Sequence, residues 1–515
     1  MLQKSNIESY RAVPYQGLAH RESHPSIIAT VAALVGVDAP SPQRARVLEV
    51  GCAFGRNLIP MAASLPGARF VGLDLSAHQV DAARHSAQAV GLDNIEFIVG
   101  DIAEAGAELG AFDYIIAHGV YSWIPPAARE RLMGLCRDLL TPNGVAYISH
   151  NVYPGWHRKN ALRHMMRYHI RDLEPASRQV VAAKALLEFV STASSPHDAS
   201  YKLWLHDEVE ALKDAEEWYL FHDHLAVHND PSYFHEFIEE AHAHGLQFLA
   251  DAALAANFGH LMPDRLAADL HELTGGDRIS FEQHQDFVLN RPFRKTLLCR
   301  SGLEVSDRPL PAGWAGAHVL SPYEREDDDA GQPTNTWRKG DSYLRDANPA
   351  ANAVLEVLSA RWPGSISVAD LFDIYRGLGV DSSPAAESVA GFCDDLYVLA
   401  LADVVELSAT PVATPAGREH PEVHRWVRQE LADGRTSVTS VHHKSAQLSP
   451  TLRALAALTD GTRDLVGLVE ALQAQVASGA FALPVDDATP EQVLAGLTGG
   501  VERGLGQLRH LGLLA

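Results

Sequence analysis

Short apolar runs separated by glycine-bearing turns open the first third of the chain. Val47-Leu48-Glu49-Val50 turns on Gly51 and Gly55 and continues into Leu58-Ile59-Pro60-Met61-Ala62-Ala63. That order predicts a buried parallel strand, a tight turn and a helix. Apolar runs recur at Arg69–Ser76, Ile95–Ile102, Phe112–Gly119 and Gly144–Ser149, and each predicts a further strand. Between the second and third lies a helical pattern that Ser76 is placed to cap and Gly91 to end. Strands alternating with helices predict an α/β, Rossmann-like parallel sheet.

The pattern changes on either side of this region. His24 to Leu34 reads as an amphipathic helix, placed to fold over a ligand as a lid, with Tyr10 or Tyr15 in contact with it. Residues 157–310 read as helical throughout. Residues 311–345 are rich in Pro, Gly and Asp, with the acidic run Glu324 to Asp329, and read as an exposed connection. Three helical stretches and a short strand over 346–408 predict a winged-helix-like module without a basic recognition helix. Residues 409–515 predict a mixed α/β module: a strand and turn at Val438 to Lys444, then helices at Ser449 to Leu458, Leu465 to Gln475 and Glu491 to Leu508.

Composition narrows the function classes. The 515 residues carry a formal net charge of −23, which argues against a duplex-binding surface, since phosphate neutralisation needs basic patches. The charge suits a basic polypeptide partner, and equally mere solubility. The four cysteines, Cys52, Cys136, Cys299 and Cys393, form no Cys-x-x-Cys pair, so neither a zinc site nor a disulfide framework is indicated. His224 and His228 stand four apart, but no spaced carboxylate accompanies them, and no metal site is expected. The first residues lack the apolar core of a signal peptide, and no run of about 18 apolar residues is present. A cytoplasmic protein without a membrane span is the simplest reading.

Chemistry concentrates at the carboxyl ends of the predicted strands. The spacing Gly51-x-x-x-Gly55 is not the dinucleotide fingerprint Gly-x-Gly-x-x-Gly. Asp74, closing the second strand, is placed to accept hydrogen bonds from ribose hydroxyls, and Asp101 closes the third. The fourth strand leads into His118-Gly119-Val120-Tyr121-Ser122-Trp123-Ile124-Pro125, and the fifth into His150-Asn151-Val152-Tyr153-Pro154-Gly155-Trp156. Aromatic rings there suit an alkylammonium ligand.

This succession resembles the class I S-adenosylmethionine-dependent methyltransferases over roughly residues 45–155, with Ala53 where many members have a third glycine. The resemblance implies that Glu49, Gly51 and Gly55 line the methionine part of S-adenosyl-L-methionine, that Asp74 holds its ribose, and that Asp101 and Ile102 flank its adenine. Tyr15, Cys52, Asn57, Leu75 and His118 complete the implied cofactor set. Tyr219-Leu220-Phe221-His222, Asn229 to Phe234, Ala241 to Gly245 and Phe287 to Cys299 resemble the methyltransferase regulatory domain. That domain stands beside a class I domain in protein-lysine methyltransferases of the rickettsial type, whose Tyr-Ser-Trp-Ile-Pro and Tyr-Pro-Gly-Trp stretches are matched at 121–125 and 153–156. The resemblance implies a protein substrate methylated on lysine side chains and a homodimer. Tyr121, Tyr153, His150 and Trp123 are then the candidates to bind the acceptor and take its proton.

The expected organisation is a methyltransferase domain with its N-terminal lid at 1–156, a helical regulatory and dimerisation domain at 157–310, a winged-helix-like module at 311–408, and the C-terminal module at 409–515. Two other functions stay open at this point: a small-molecule methyltransferase, and a cofactor-binding scaffold with weak catalysis.

Overall fold

The computed structural model describes residues 17–193, 199–327, 331–379, 387–478 and 490–515. Tyr10 and Tyr15 lie outside the described residues. A seven-stranded sheet forms the centre. Its strands are β1 (Arg46–Val50), β2 (Arg69–Asp74), β3 (Ile95–Val99), β4 (Phe112–Ala117), β5 (Leu140–Asn151), β6 (Leu246–Asp251) and β7 (Phe293–Arg300), in the order β3-β2-β1-β4-β5-β7-β6. The first five are parallel, and β7 runs antiparallel between β5 and β6.

Burial on both faces explains the apolar runs. Val47, Phe70, Tyr114, Ile116 and Tyr147 face one layer. Leu48, Val71, Ile115, Ala146 and Ile148 face the other, against Leu132, Met133, Phe237 and Ile238. Ser76 caps the helix Ala77–Val90, and Gly91 ends it in the left-handed conformation at φ 85°.

The reading of 157–310 as helical throughout is corrected at β6 and β7. These two strands complete the central sheet, so 246–300 belongs to it structurally. Between β5 and β6 the helices Gly155–Ile170, Ala176–Thr192 and Ala199–Lys213 pack around a core of their own, which includes Leu162, Met166, Leu187 and Val209. The first of these helices runs across the expected boundary at residue 156.

The expected exposed connection at 311–345 is also corrected. Trp314 and Trp337 are fully buried in the core of the next module. Strands Glu324–Asp327, Pro333–Lys339 and Ser342–Arg345 form a small antiparallel sheet. The helices Pro349–Ser359, Val368–Gly377 and Val389–Leu401 complete this module.

The helix Pro25–Leu34 is not the amphipathic lid the sequence suggests. It is buried on nearly every side, wedged between the central sheet and this module, and the Trp314 indole donates to the Thr30 carbonyl at 2.8 Å. An apolar stretch with so few polar positions has no face to offer to water.

The last module carries helices Arg425–Ala432, Pro450–Leu458, Leu465–Ala477 and Pro490–His510, with a hairpin of Ser437–Thr439 and Ser445–Gln447. Among the described residues it has no separate core. Trp426, Val427, Leu452 and Leu468 share one continuous cluster with Val47, Met61, Val80 and Ala83 of the central domain.

Glu406 ties three parts of the chain together, meeting Arg21 at 3.0 Å and Lys444 from the last module. Burial works against its charge, but Arg21 and Lys444 hold its pKa at about 2, below the ordinary 4.5. A depressed carboxylate stabilises the fold above its unfolded pKa, and that contribution disappears as pH falls through the folded one. We expect about 3 kcal/mol to be lost between roughly pH 4.5 and pH 2. Acid unfolding followed by circular dichroism should show this increment in the wild type and not in Glu406→Gln.

Candidate active site

The turn after β1 is built by its glycines. Gly51 stands at φ 74°, and a Cβ there would meet Val120 Cγ2 at 2.6 Å. Gly55 stands at φ 68°, and a Cβ there would meet the Phe97 ring at 2.6 Å. Ala53 also adopts a left-handed φ of 46°, which explains why glycine is favoured at that position. Its N–H is satisfied by Asp74 Oδ2 at 2.9 Å, while Asp74 Oδ1 accepts from Ser76 N at 2.8 Å. Burial raises the Asp74 pKa, and these backbone donors oppose the shift.

Glu49 is buried beneath the turn. Burial pushes its pKa up to about 7, against the hydrogen bond from Asn57. Asn57 Nδ2 donates to Glu49 Oε1 at 2.6 Å and to Ser23 Oγ at 3.0 Å, and Asn57 Oδ1 accepts from His20 N at 2.9 Å. The C-terminal module completes this network. His443, itself at a left-handed φ of 56°, donates from Nε2 to Asn57 Oδ1 at 2.8 Å. Arg435 donates to the Gly17 carbonyl at 2.8 Å, and Arg56 faces Asp433 at 3.8 Å.

A cavity of about 830 Å³ opens above this cradle. Glu49, Gly51, Cys52, Asn57, Asp74, Leu75, Asp101, Ile102 and His118 all line it. Gly55 does not; it lies one layer behind, against Phe97. Tyr15 lies outside the described residues. His118 stacks on His20 with ring centroids 3.4 Å apart, and its Nδ1 meets the Tyr147 hydroxyl at 2.9 Å. Burial holds both imidazoles below their ordinary pKa, that of His20 at about 4, so both are neutral near pH 7.

The same cavity continues away from the cradle into a chamber lined by Trp123, Trp156, Trp218, Tyr219, Asp223 and Lys159. The loop after β4 is held to β5 by Gly119 N donating to Ser149 Oγ at 2.8 Å and Asn151 N donating to Ser122 Oγ at 2.9 Å. This fixing places Trp123 at the chamber wall.

The other three acceptor candidates do not line the cavity. Tyr121 is buried edge-on to Phe237, and its hydroxyl donates to Glu240. His150 stacks on Phe237 at 3.9 Å and meets Thr296 Oγ1 at 3.1 Å through Nε2; burial keeps its pKa at about 3. Tyr153 stacks on His157 at 4.1 Å, and its hydroxyl accepts from Asn160 at 3.1 Å. Sequence reasoning passed over His20, His443, Trp218 and Asp223. Among these, Trp218 and Asp223 flank Tyr219 to His222, a stretch whose family likeness was legible. Among the described residues no group of three or more His, Cys, Asp or Glu side chains is placed to hold a metal ion.

Comparison with known proteins agrees with this architecture. Residues 47–144 match a family described as methyltransferase domain, 216–300 one described as predicted methyltransferase regulatory domain, and 419–513 one described as PKMT, C-terminal winged helix domain. The uncharacterized protein RP789 of Rickettsia prowazekii is 39% identical over 297 residues, covering 58% of this chain and 53% of the relative. RP028 of the same organism is 31% identical over 241 residues, covering 47% of this chain and 96% of the relative. The chain thus spans about half the length of RP789. A solved structure of PKMT2 from Rickettsia typhi superposes with a TM-score of 0.83 at 23% identity, covering 97% of this chain and all of that one. The same protein has been solved in complex with AdoHcy. Sheet order and glycine-acid cradle together define the class I methyltransferase fold. The chain belongs to the same family as RP028, and in this chain a methyltransferase domain is followed by a methyltransferase regulatory domain.

Proposed function

We propose that the protein is an S-adenosylmethionine-dependent methyltransferase whose acceptor is a lysine side chain of a protein. One observation carries the reading: a single cavity joins the glycine-acid cradle to an aromatic chamber that ends in a carboxylate. The residues present fit the cofactor. Gly51 leaves backbone open where a Cβ would clash, and Glu49 Oε2 is a buried oxygen without a hydrogen-bond partner in the protein. When bound, S-adenosylmethionine supplies an electrophilic methyl group on a sulfonium centre. Glu49, Gly51 and His118 are assigned to its methionine part, Asp74 to its ribose, and Asp101 with Ile102 to its adenine. The protein's share of the work is to position the two reactants in line and exclude water.

Trp123 faces the acceptor. Tyr121 and His150 are assigned to bracing the loop after β4 through Glu240, Phe237 and Thr296, and Tyr153 to the outer wall. The relative PKMT2 and the PKMT-type winged-helix match support a protein acceptor. A homodimer through the helical insertion is part of the reading. Tyr168 and Phe189 on its helices are 70% and 68% exposed and offer ring surface to a partner. No described helix is long and apolar enough to cross a membrane, and all four cysteines are free and buried, as suits a cytoplasmic enzyme.

The test is incubation of purified protein with methyl-labelled S-adenosylmethionine and a lysate of the source cell, followed by acid hydrolysis of the protein fraction. Label co-migrating with methyl-lysine is the expected result. Label confined to the small-molecule fraction would replace this reading with that of a metabolite methyltransferase. Cofactor binding without any transferred label would favour a scaffold.

A further inference from the structure

We propose that Asp223 is the group that receives the acceptor's ammonium in the aromatic chamber and takes its proton. The assignment rests on the reading above that a lysine side chain enters this end of the cavity.

The first argument is placement. Residues Leu220–Leu225 form a turn of π-helix, the wider winding that recurs at functional positions. Leu220, Phe221, His224 and Leu225 are buried by it, whereas Asp223 lines the cavity beside Trp218 and Tyr219. A two-step amide relay pins the turn to the sheet. Asn229 Nδ2 donates to the Asp223 carbonyl at 2.8 Å, and Asn229 Oδ1 accepts from Asn151 Nδ2 at 2.8 Å. Asn151 ends β5 and lines the same cavity, so the backbone that carries Asp223 is held relative to the carboxyl edge of the sheet.

The second argument is the chamber's chemistry. Trp123, Trp156, Trp218 and Tyr219 offer apolar ring faces suited to a butyl stem and its cationic end. A primary ammonium is already tolerated there: Lys159 Nζ sits 5.8 Å from the Trp156 ring centroid. Burial raises the Asp223 pKa to about 7, with Lys159 pulling it down. A carboxyl with a pKa near working pH is matched to accepting a proton. The titratable groups around it are Lys159 from the helix Gly155–Ile170, Tyr219 and His222 from its own segment, and His228 from the following loop.

The step balances simply. The Asp223 carboxylate accepts one proton from the ammonium, leaving a neutral amine and a carboxylic acid. The amine lone pair then forms the new N–C bond as the C–S bond breaks, and the bonding pair stays on sulfur. The product leaves as a methylammonium, and Asp223 returns its proton to water. His228 is the competing base, since its Nε2 is buried without a hydrogen-bond partner.

The test uses the full chain with Asp223→Asn, saturated with S-adenosylhomocysteine, and reads binding rather than turnover. Tryptophan fluorescence is titrated with N-acetyl-lysine amide and with its uncharged isostere N-acetyl-norleucine amide. Wild type is expected to prefer the lysine ligand by about tenfold, the scale of one desolvated charge-assisted contact. Asp223→Asn should lose that preference while binding S-adenosylhomocysteine as wild type does, and Asp223→Glu should keep it. In parallel, the acid limb of kcat/KM for methyl-lysine formation, near pH 7 in wild type, should vanish in Asp223→Asn and persist in His228→Asn. A preference or acid limb retained in Asp223→Asn overturns the assignment, and loss of the limb in His228→Asn alone moves it to His228. If wild type forms methyl-lysine but shows no lysine preference, Asp223 is again excluded while the enzyme reading stands. If wild type forms no methyl-lysine at all, the enzyme reading itself falls.

Discussion

Exchanging Arg294 for leucine is expected to destabilise the fold by about 3–5 kcal/mol, the usual cost of removing one partner from a buried ion pair. Arg294 is fully buried on β7. Its guanidinium donates to both carboxylate oxygens of Asp286 at 2.8 Å, meets Glu282 Oε2 at 3.0 Å, and lies 3.9 Å over the Phe234 ring. Burial works against its charge, and Asp286 and Glu282 more than offset that, raising its pKa. Asp251 lies 4.0 Å away and is shared with Arg291. Leucine would leave three carboxylates facing one another with Arg291 as their remaining countercharge. Urea unfolding of the two proteins measures the loss. A midpoint within experimental error of wild type would show that the carboxylates escape to water or protonate at little cost. Adding Asp286→Asn to Arg294→Leu should recover part of the loss, because it removes one of the uncompensated charges.

Asp74→Ala is expected to weaken S-adenosylhomocysteine binding about hundredfold. Hydrogen bonds to a charged acceptor contribute roughly 1.5–3 kcal/mol each, and Asp74 is assigned the ribose hydroxyls while also holding the turn through Ala53 and Ser76. Asp74→Asn should fall between the two, since its amide keeps one acceptor oxygen. Calorimetric titration of the three proteins gives the order directly. An affinity for Asp74→Ala within threefold of wild type would take Asp74 out of the cofactor site.

The cradle was legible in the sequence because its strands are buried on both faces and therefore read as unbroken apolar runs. β7 was not, although it is an inner strand of the same sheet, between β5 and β6. Arg294, Lys295 and Arg300 make it look polar, yet each finds its partner elsewhere: Arg294 at Asp286 and Glu282, Lys295 at Glu22 at 2.6 Å, and Arg300 at the Leu140 carbonyl. Local pattern carries no record of a charge neutralised from a distance. The same holds at the acceptor end. Asp223 reaches the chamber through a π-helical turn that no period of apolar positions announces. Trp314 and Trp337 were hidden differently, as isolated rings in a segment whose Pro, Gly and Asp content suggested an open linker.

The shared core between the first and last parts of the chain bears on how the molecule is made. Residues 45–155 leave the ribosome long before the last module, but the outer side of the helices Leu58–Ser64 and Ala77–Val90 is covered by Trp426, Val427 and Leu452, and Asn57 waits for His443. Until some 300 further residues have been synthesised, the nascent protein displays that apolar wall to its surroundings, and the network around Glu49 lacks its closing member. A premature stop codon ahead of Trp426 would therefore leave the cradle uncovered and without its closing histidine, even though every codon for the cradle had been translated correctly.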